Sequence, residues 1–445
     1  MKANSFNFVL ILAMVAFTAL AYGTVHQPVI ALFYVLVAVL VVSWAYQAMA
    51  AGSAALDRSA LQLPLYLLAI YAFIQIVPFG SFSAAGLDNI PRTLSISPFD
   101  TELAGVHIAV AGILFSMMLV SLDRAERLRK VVTFLVLFGF AFAFFAILQS
   151  FLSPTRIFGI YERPSPFGTF VNRHNFAAYM EMTIAVPLGM LMAGSVERDR
   201  KLLFITAIGI MAVALLLSGS RGGLIALVAS VALAAFLSTR RHGRKSKLIR
   251  FGLLAAIAAI VVGGTLLIGG ESSFTRISDT ASSGDISTNR TQIWDVTLKV
   301  IRENMPFGAG IGAFGQAYTK FDEGSGLERV EQAHNDYLQA AADAGIVGLL
   351  IGGSFLWLLW RQGRIGIAST NGFRRGVAIG AAAGIFAILV HSLFDFVLHT
   401  TAVTVLFLLL VALLAAAGKK FRDDVPDIDL GRRERSRSNV RMMRR

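Results

Sequence analysis

Apolar runs of about 17 to 25 residues recur along this chain between short polar connections, and each can cross a hydrocarbon core of about 30 Å as a helix. The predicted spans are Phe6 to Tyr22, Val29 to Ala50, Leu61 to Val77, Leu103 to Leu122, Val131 to Phe151, Asn175 to Ala193, Leu202 to Leu217, Gly222 to Leu237, Phe251 to Ile268, Tyr337 to Trp360, Val377 to Phe394 and Thr400 to Ala417. The runs lack an alternating apolar and polar period, and unpaired backbone groups are costly in lipid, so helices are preferred to a barrel. The expected fold class is an all-α polytopic membrane protein with about twelve transmembrane helices. Residues 1–445 are expected to form a single integral membrane domain, and the first span lacks a convincing cleavage site and reads as a retained helix.

The connections between spans alternate in charge. Lys2, Arg58, Arg124/Arg127/Arg129/Lys130, Arg198/Arg200/Lys201, Arg240 to Arg250 and Arg361/Arg364/Arg374/Arg375 fall in every second one. By the positive-inside rule these face the cytoplasm, as do both termini. Residues 418–445 read as a basic, disordered cytoplasmic tail.

Composition agrees: 56% of residues are hydrophobic, mean hydropathy is +0.68 and only 15% are charged. The +13 net charge is accounted for by topology and contact with anionic membrane lipids, not by nucleic acid. The absence of cysteine removes disulfides and thiolate chemistry and leaves the compartment open.

The outer connections carry the candidate chemistry: Pro78 to Glu102, Leu152 to His174, the turn Ser218-Gly219-Ser220-Arg221, the loop over residues 269–334, and Asp395 to His399. His334 ends the long polar loop, in Gln332-Ala333-His334-Asn335-Asp336-Tyr337-Leu338-Gln339, just before an apolar run. It is a candidate for proton chemistry at a membrane surface; the alternative is a histidine that caps the helix or bonds a neighbouring loop. Arg221 lies between two spans with no room for a proper loop, where a charge is costly unless it is partnered or faces a polar cavity. Arg156, Glu162, Arg163, Arg173, His174 and Asn175 surround Pro166 to Asn172, and guanidinium groups there suit an anionic headgroup.

Within the long loop, Ile293, Trp294, Thr297, Leu298 and Ile301 recur at helical spacing, with Thr288 or Asn289 available as a cap. This predicts an amphipathic helix lying on the membrane, with Trp294 at headgroup level and Arg290 in its first turn. Gly310, Gly312 and Gly315 spell G-x-G-x-x-G, but no strand precedes them and no βαβ unit surrounds them, so a dinucleotide site is rejected. The glycines are expected to bring backbone close to a ligand. His391, Asp395 and His399 are spaced four apart and could bind a metal on one continuous helix, although a hydrogen-bonded structural trio is preferred. No cluster elsewhere has metal-ligand spacing.

The turn Ser220-Arg221-Gly222-Gly223, the segment from Arg290 and Trp294 to Pro306-Phe307-Gly308-Ala309-Gly310-Ile311-Gly312-Ala313-Phe314, and His334-Asn335 with Leu338 running into Ala344-Gly345-Ile346-Val347-Gly348 together resemble the O-antigen ligase and Wzy polymerase superfamily. The resemblance implies a helical bundle of GT-C type that transfers glycan from undecaprenyl diphosphate at the periplasmic face of the bacterial inner membrane, without a metal or other cofactor. It implies that Arg221 and Arg290 contact the diphosphate and that His334 serves the acceptor hydroxyl. Arg163, Arg173, Asn175, Asn335 and Trp294 are the expected substrate-binding residues. The partners would be an undecaprenyl-diphosphate-linked oligosaccharide donor, a glycan or lipid-linked acceptor, and other polysaccharide assembly proteins. Gly168 to Phe176 is similar to the corresponding segment of polymerase-like and exopolysaccharide members.

The chemistry needs cations aimed at a leaving diphosphate and a base for the attacking hydroxyl. Arg221, Arg290 and His334 are of the right types, and no paired carboxylates stand at the spacing of ordinary glycoside hydrolysis. A secondary transporter would show inverted repeats and an intramembrane charged path. A non-catalytic scaffold that binds lipid-linked glycan would need the arginines but not His334.

Overall fold

The computed structural model describes residues 5–239, 290–323 and 329–419. The helices are α1 (Ser5–Leu20), α2 (Gln27–Ala51), α3 (Leu63–Gln75), α4 (Pro98–Ser121), α5 (Ala125–Leu152), α6 (Arg173–Ala193), α7 (Lys201–Leu217), α8 (Arg221–Thr239), α9 (Arg290–Asn304), α10 (Phe314–Thr319), α11 (Asp336–Ile367), α12 (Gly372–His391) and α13 (Thr401–Ala417). Eight helices among the described residues are long and apolar enough to cross a membrane, and three shorter apolar ones accompany them. Each predicted span corresponds to one of these except Phe251 to Ile268, which lies outside the described residues, as do Glu271 to Ser287 and the tail beyond residue 419. The protein is a multi-pass, all-α membrane protein.

Helices α6 and α13 are buried along almost their whole length, with α12 packed against both. Such close packing in a bundle whose surroundings are as apolar as its core depends on small residues. Gly376, Gly380 and Gly384 recur every four residues on α12 and face α6: a Cβ on Gly189 of α6 would lie 2.2 Å from the Gly380 nitrogen. The glycines of this run are thus a helix-packing seam.

Three details depart from the sequence reading. Pro78 to Glu102 holds a hairpin of β1 (Gly80–Ala84) and β2 (Leu87–Arg92), with Phe82 opposite Ile90. Its two turn residues, Ala85 and Gly86, both have positive φ (51° and 77°), the geometry that lets a two-residue loop match strand twist. Helix α9 buries Val296, Thr297 and Val300, with Ile293 and Ile301 beside them, against Phe314 and Tyr318 of α10 and Ala342 of α11. Its apolar face is therefore turned from the predicted one, leaves Leu298 40% exposed, and packs on protein. The Trp294 indole donates to the Ala333 carbonyl at 3.0 Å.

The third detail concerns the glycine-rich segment, whose close approach is to the chain itself. Gly345 interrupts α11 with φ 59° and ψ −151°, which frees backbone groups of the broken turn. The segment 306–310 takes them up: Ala309 N donates to Ala342 O at 2.8 Å, Gly310 N to Asp343 O at 3.0 Å, and Ile346 N to Pro306 O at 2.9 Å. Gln75 of α3 closes the arrangement, donating to Phe307 O and Asp343 O and accepting from Ile311 N. A Cβ at Gly345 would lie 2.1 Å from the Pro306 carbonyl oxygen, in a backbone region reserved to glycine. Gly345→Ala is expected to destabilise the protein by about 2 kcal/mol or more, read as a lower melting temperature.

Candidate functional site

At the end of the bundle where α6, α8, α9, α11 and α13 begin, their first turns and the connection after α12 form one polar cluster. Asp395 is its hub. Its side chain is 3% exposed and receives three basic groups: His334 Nδ1 at 3.1 Å, Arg290 Nη2 at 3.4 Å and His174 Nδ1 at 3.9 Å. Burial alone would raise the Asp395 carboxyl, but the His334 hydrogen bond and the charges of His174, Arg290 and His334 outweigh it and hold it at about 2. Asp395 is therefore ionised throughout the range in which proteins work.

The local sequence explains how each group reaches this place. Asn335 adopts extended backbone and caps α11, its Oδ1 accepting from Tyr337 N and Leu338 N at 3.0 Å each, while its Nδ2 donates to Leu393 O at 3.1 Å. The cap is thus Asn335, and its side chain is occupied in fixing the start of α11. His334, the residue before, has φ 48°, an uncommon conformation for a non-glycine that turns its ring back over Phe396 (centroids 5.0 Å apart, edge to face). It does bond a neighbouring loop, through Nδ1 to Asp395, which fixes the ring's orientation and leaves Nε2 for another partner; a third of the side chain is exposed.

The second wall is built from helix starts. Asn172 caps α6, accepting from His174 N at 2.8 Å, and Ser220 caps α8, accepting from Gly223 N at 3.2 Å. His174 Nδ1 lies 2.9 Å from Ser220 Oγ, and an Arg173 Nη1 lies beside Gly219, so the two helix starts adjoin. Arg173, Arg221 and Arg290 are each the first residue of their helices as described. Arg290 also donates through Nη1 to Phe394 O at 2.5 Å. Arg221 is exposed at the mouth of the cluster, and Asn175 is buried in the first turn of α6.

Not every candidate joins. Arg163 lies over the Tyr161 ring, 4.6 Å from its centroid, and bonds its hydroxyl, within an aromatic group that includes Tyr22, His26 and Phe158. His391, Asp395 and His399 do not form a mutual trio, because α12 ends at His391 and the turn that follows sends the three side chains to different partners. His391 pairs with Glu181 inside the bundle at 3.1 Å, Asp395 takes the basic cluster, and His399 Nδ1 meets Asp336 Oδ1 at 3.0 Å. Asp336 also accepts from Ser392 Oγ at 2.7 Å, which ties α11 to the same turn.

Comparison with known families bears on this geometry. Residues 206–352 match the family model Wzy_C, described as O-Antigen ligase. That stretch of the chain is therefore similar to the O-antigen ligases. The match contains Arg221, Arg290 and His334, and it supports, in general terms, a membrane glycan ligase or polymerase. No curated protein matches the chain. Arg173, His174 and Asp395 lie outside the matched residues, and only their contacts attach them to the site. Asp395 was visible in the sequence merely as the middle of a four-spaced run; a carboxylate just after an apolar span was the available signal.

Proposed function

We propose that this protein transfers or polymerises glycan carried on undecaprenyl diphosphate at the periplasmic face of the inner membrane. The observation that carries the proposal is the His334–Asp395 pair at 3.1 Å, with Arg290 on the same carboxylate at 3.4 Å, both basic residues lying within the matched stretch. Arg173, Arg221 and Arg290 stand at helix starts, where a guanidinium and backbone N–H groups can share one anion. A diphosphate fits, because backbone N–H groups and guanidinium forks address the same oxygens.

In this mechanism Arg221 and Arg290, aided by Arg173, hold the diphosphate and stabilise the charge that grows as the anomeric C–O bond breaks. His334, oriented through Nδ1 by Asp395, takes the proton of the acceptor hydroxyl on Nε2 as that oxygen attacks the anomeric carbon. Asp395 stays ionised and stabilises the imidazolium. Trp294 and Asn335 position His334 from either side, by way of the Ala333 carbonyl and the helix cap. Lipid diphosphate departs, and the new glycosidic bond joins donor glycan to acceptor.

The direct test is transfer from purified lipid-linked donor to acceptor by the reconstituted protein. Accumulation of lipid-linked intermediates in a deletion strain is the cellular counterpart. The orientation, with both termini cytoplasmic, is tested separately. Ser81 and Asp199 are exposed on connections of opposite assignment in a chain without cysteine. Ser81→Cys is expected to react with a membrane-impermeant thiol reagent in intact spheroplasts and Asp199→Cys only after lysis; the reverse pattern would invert the topology.

A further inference from the structure

At the same end of the bundle, beside the arginine cluster, four rings from two connections face one another. Tyr22 meets His26, Phe158 and Tyr161 with centroids 5.6, 5.9 and 5.3 Å apart, and His26 meets Tyr161 at 5.3 Å, all edge to face. Arg163 covers Tyr161, and Arg156 pairs with Glu162 at 3.2 Å across the short strands beneath. The backbone here is strained: Tyr22, Thr24 and Phe158 have φ of 58°, 56° and 54°. Buried polar groups hold these turns. Gln149 of α5 accepts from Phe158 N at 3.0 Å and also bonds the Gly168 carbonyl, Thr24 donates to Thr18 O at 3.1 Å, and Thr169 donates to Ala19 O at 2.5 Å. Gly23 packs against Phe170 and Thr400. The ring group is therefore fixed to the turn that leads directly into Arg173 and His174.

We propose that these rings are a carbohydrate subsite that takes the pyranose units of the glycan next to the diphosphate; this rests on the glycan-transfer function above. The axial C–H face of a pyranose is apolar and packs on the electron-rich face of an aromatic ring, whereas its hydroxyls accept from a guanidinium and donate to a carboxylate. Tyr161 and the exposed Phe158 supply the rings, and Arg163, two residues on from Tyr161, supplies the guanidinium. Simple anchoring of aromatic residues in a headgroup belt would need neither the strained turns nor the buried polar groups that hold them.

The test uses the full chain in lipid nanodiscs and, as probe, the reducing oligosaccharide released by mild acid from the lipid-linked pool of the producing cells, free of lipid and diphosphate. Wild type is expected to bind it in a saturation-transfer NMR titration. Tyr161→Ala should weaken binding about tenfold or more, the scale of losing one well-packed aromatic anchor, and Arg163→Gln should weaken it less. Should Tyr161→Ala fail to fold, Arg163→Gln decides. Equal binding by wild type and folded variants, or no binding by wild type, overturns the subsite whatever the transfer assay gives. Variants that reconstitute poorly yet bind normally once reconstituted also overturn it, by showing an interfacial anchor. Binding lost in the variants, in a protein that transfers no glycan from lipid-linked donor, leaves the subsite standing and removes the transfer function instead.

Discussion

His334→Ala is expected to lower glycan transfer by about a hundredfold to ten-thousandfold, the usual range for loss of a general base, while the proposed hold of the arginines on the diphosphate keeps donor binding in place. The geometry makes the prediction specific. Asn335, not His334, caps α11, so removing the imidazole does not uncap the helix, and the melting temperature should change little. A scaffold that merely binds lipid-linked glycan would keep its function in this variant. Asp395→Asn is the companion. It keeps the shape, but an amide can donate to Nδ1, which favours the tautomer with its proton on Nε2, where the acceptor proton must go. Transfer should fall by a similar factor. The Asp395 carboxyl, held at about 2, is depressed below its ordinary value, so its contribution to stability is present above pH ~4 and lost only as pH falls through about 2. An acidic fall in transfer between pH 5 and 7 would then not report protonation of Asp395. If His334→Ala melts early but transfers normally when folded, His334 has no part in the chemistry.

The apolar runs made the bundle legible because a hydrocarbon solvent leaves few alternatives to a helix of about twenty residues. Arg221 and His334 could be read because each stands at the edge of an apolar run, and Arg290 because it opens a segment of helical spacing. What escaped the sequence depends on contacts between distant residues. His334 and Asp395 are 61 positions apart, and the four-residue spacing of His391, Asp395 and His399 suggested a shared helix face that the end of α12 abolishes. The buried face of α9 was misjudged because Trp294 and Leu298 were counted with its apolar face, yet Trp294 is placed by its N–H and its carbonyl partner and Leu298 is 40% exposed. The 80–92 hairpin was missed because its strands carry Gly80, Ser81, Ser83, Asp88, Asn89 and Pro91, residues that seldom signal a strand. The Asx cap at Asn335 could have been recognised from residue type and position alone, and that would have separated the capping role from the catalytic one before any coordinates.

Arg221→Lys is expected to reduce kcat/KM for the lipid-linked donor by about tenfold to a hundredfold, corresponding to one charge-assisted hydrogen bond lost from a bidentate pair. Lysine keeps the positive charge at the start of α8, so a purely electrostatic requirement would be met. It presents a single point charge where the guanidinium presents a fork. Arg221 is exposed and Ser220, not Arg221, caps α8, so folding should tolerate the change. Arg290 differs: it already donates to Phe394 O and Asp395, and Arg290→Lys should disturb the hub as well as the anion site and lower stability along with activity. Inorganic pyrophosphate separates these effects, because it carries the diphosphate without lipid or sugar. It should inhibit wild-type transfer competitively with donor, and its inhibition constant should rise in Arg221→Lys by about the same factor as kcat/KM falls. Transfer that drops while pyrophosphate inhibition stays unchanged would show that Arg221 acts on some other part of the substrate, and near-normal transfer would show that charge alone suffices at the mouth of the site.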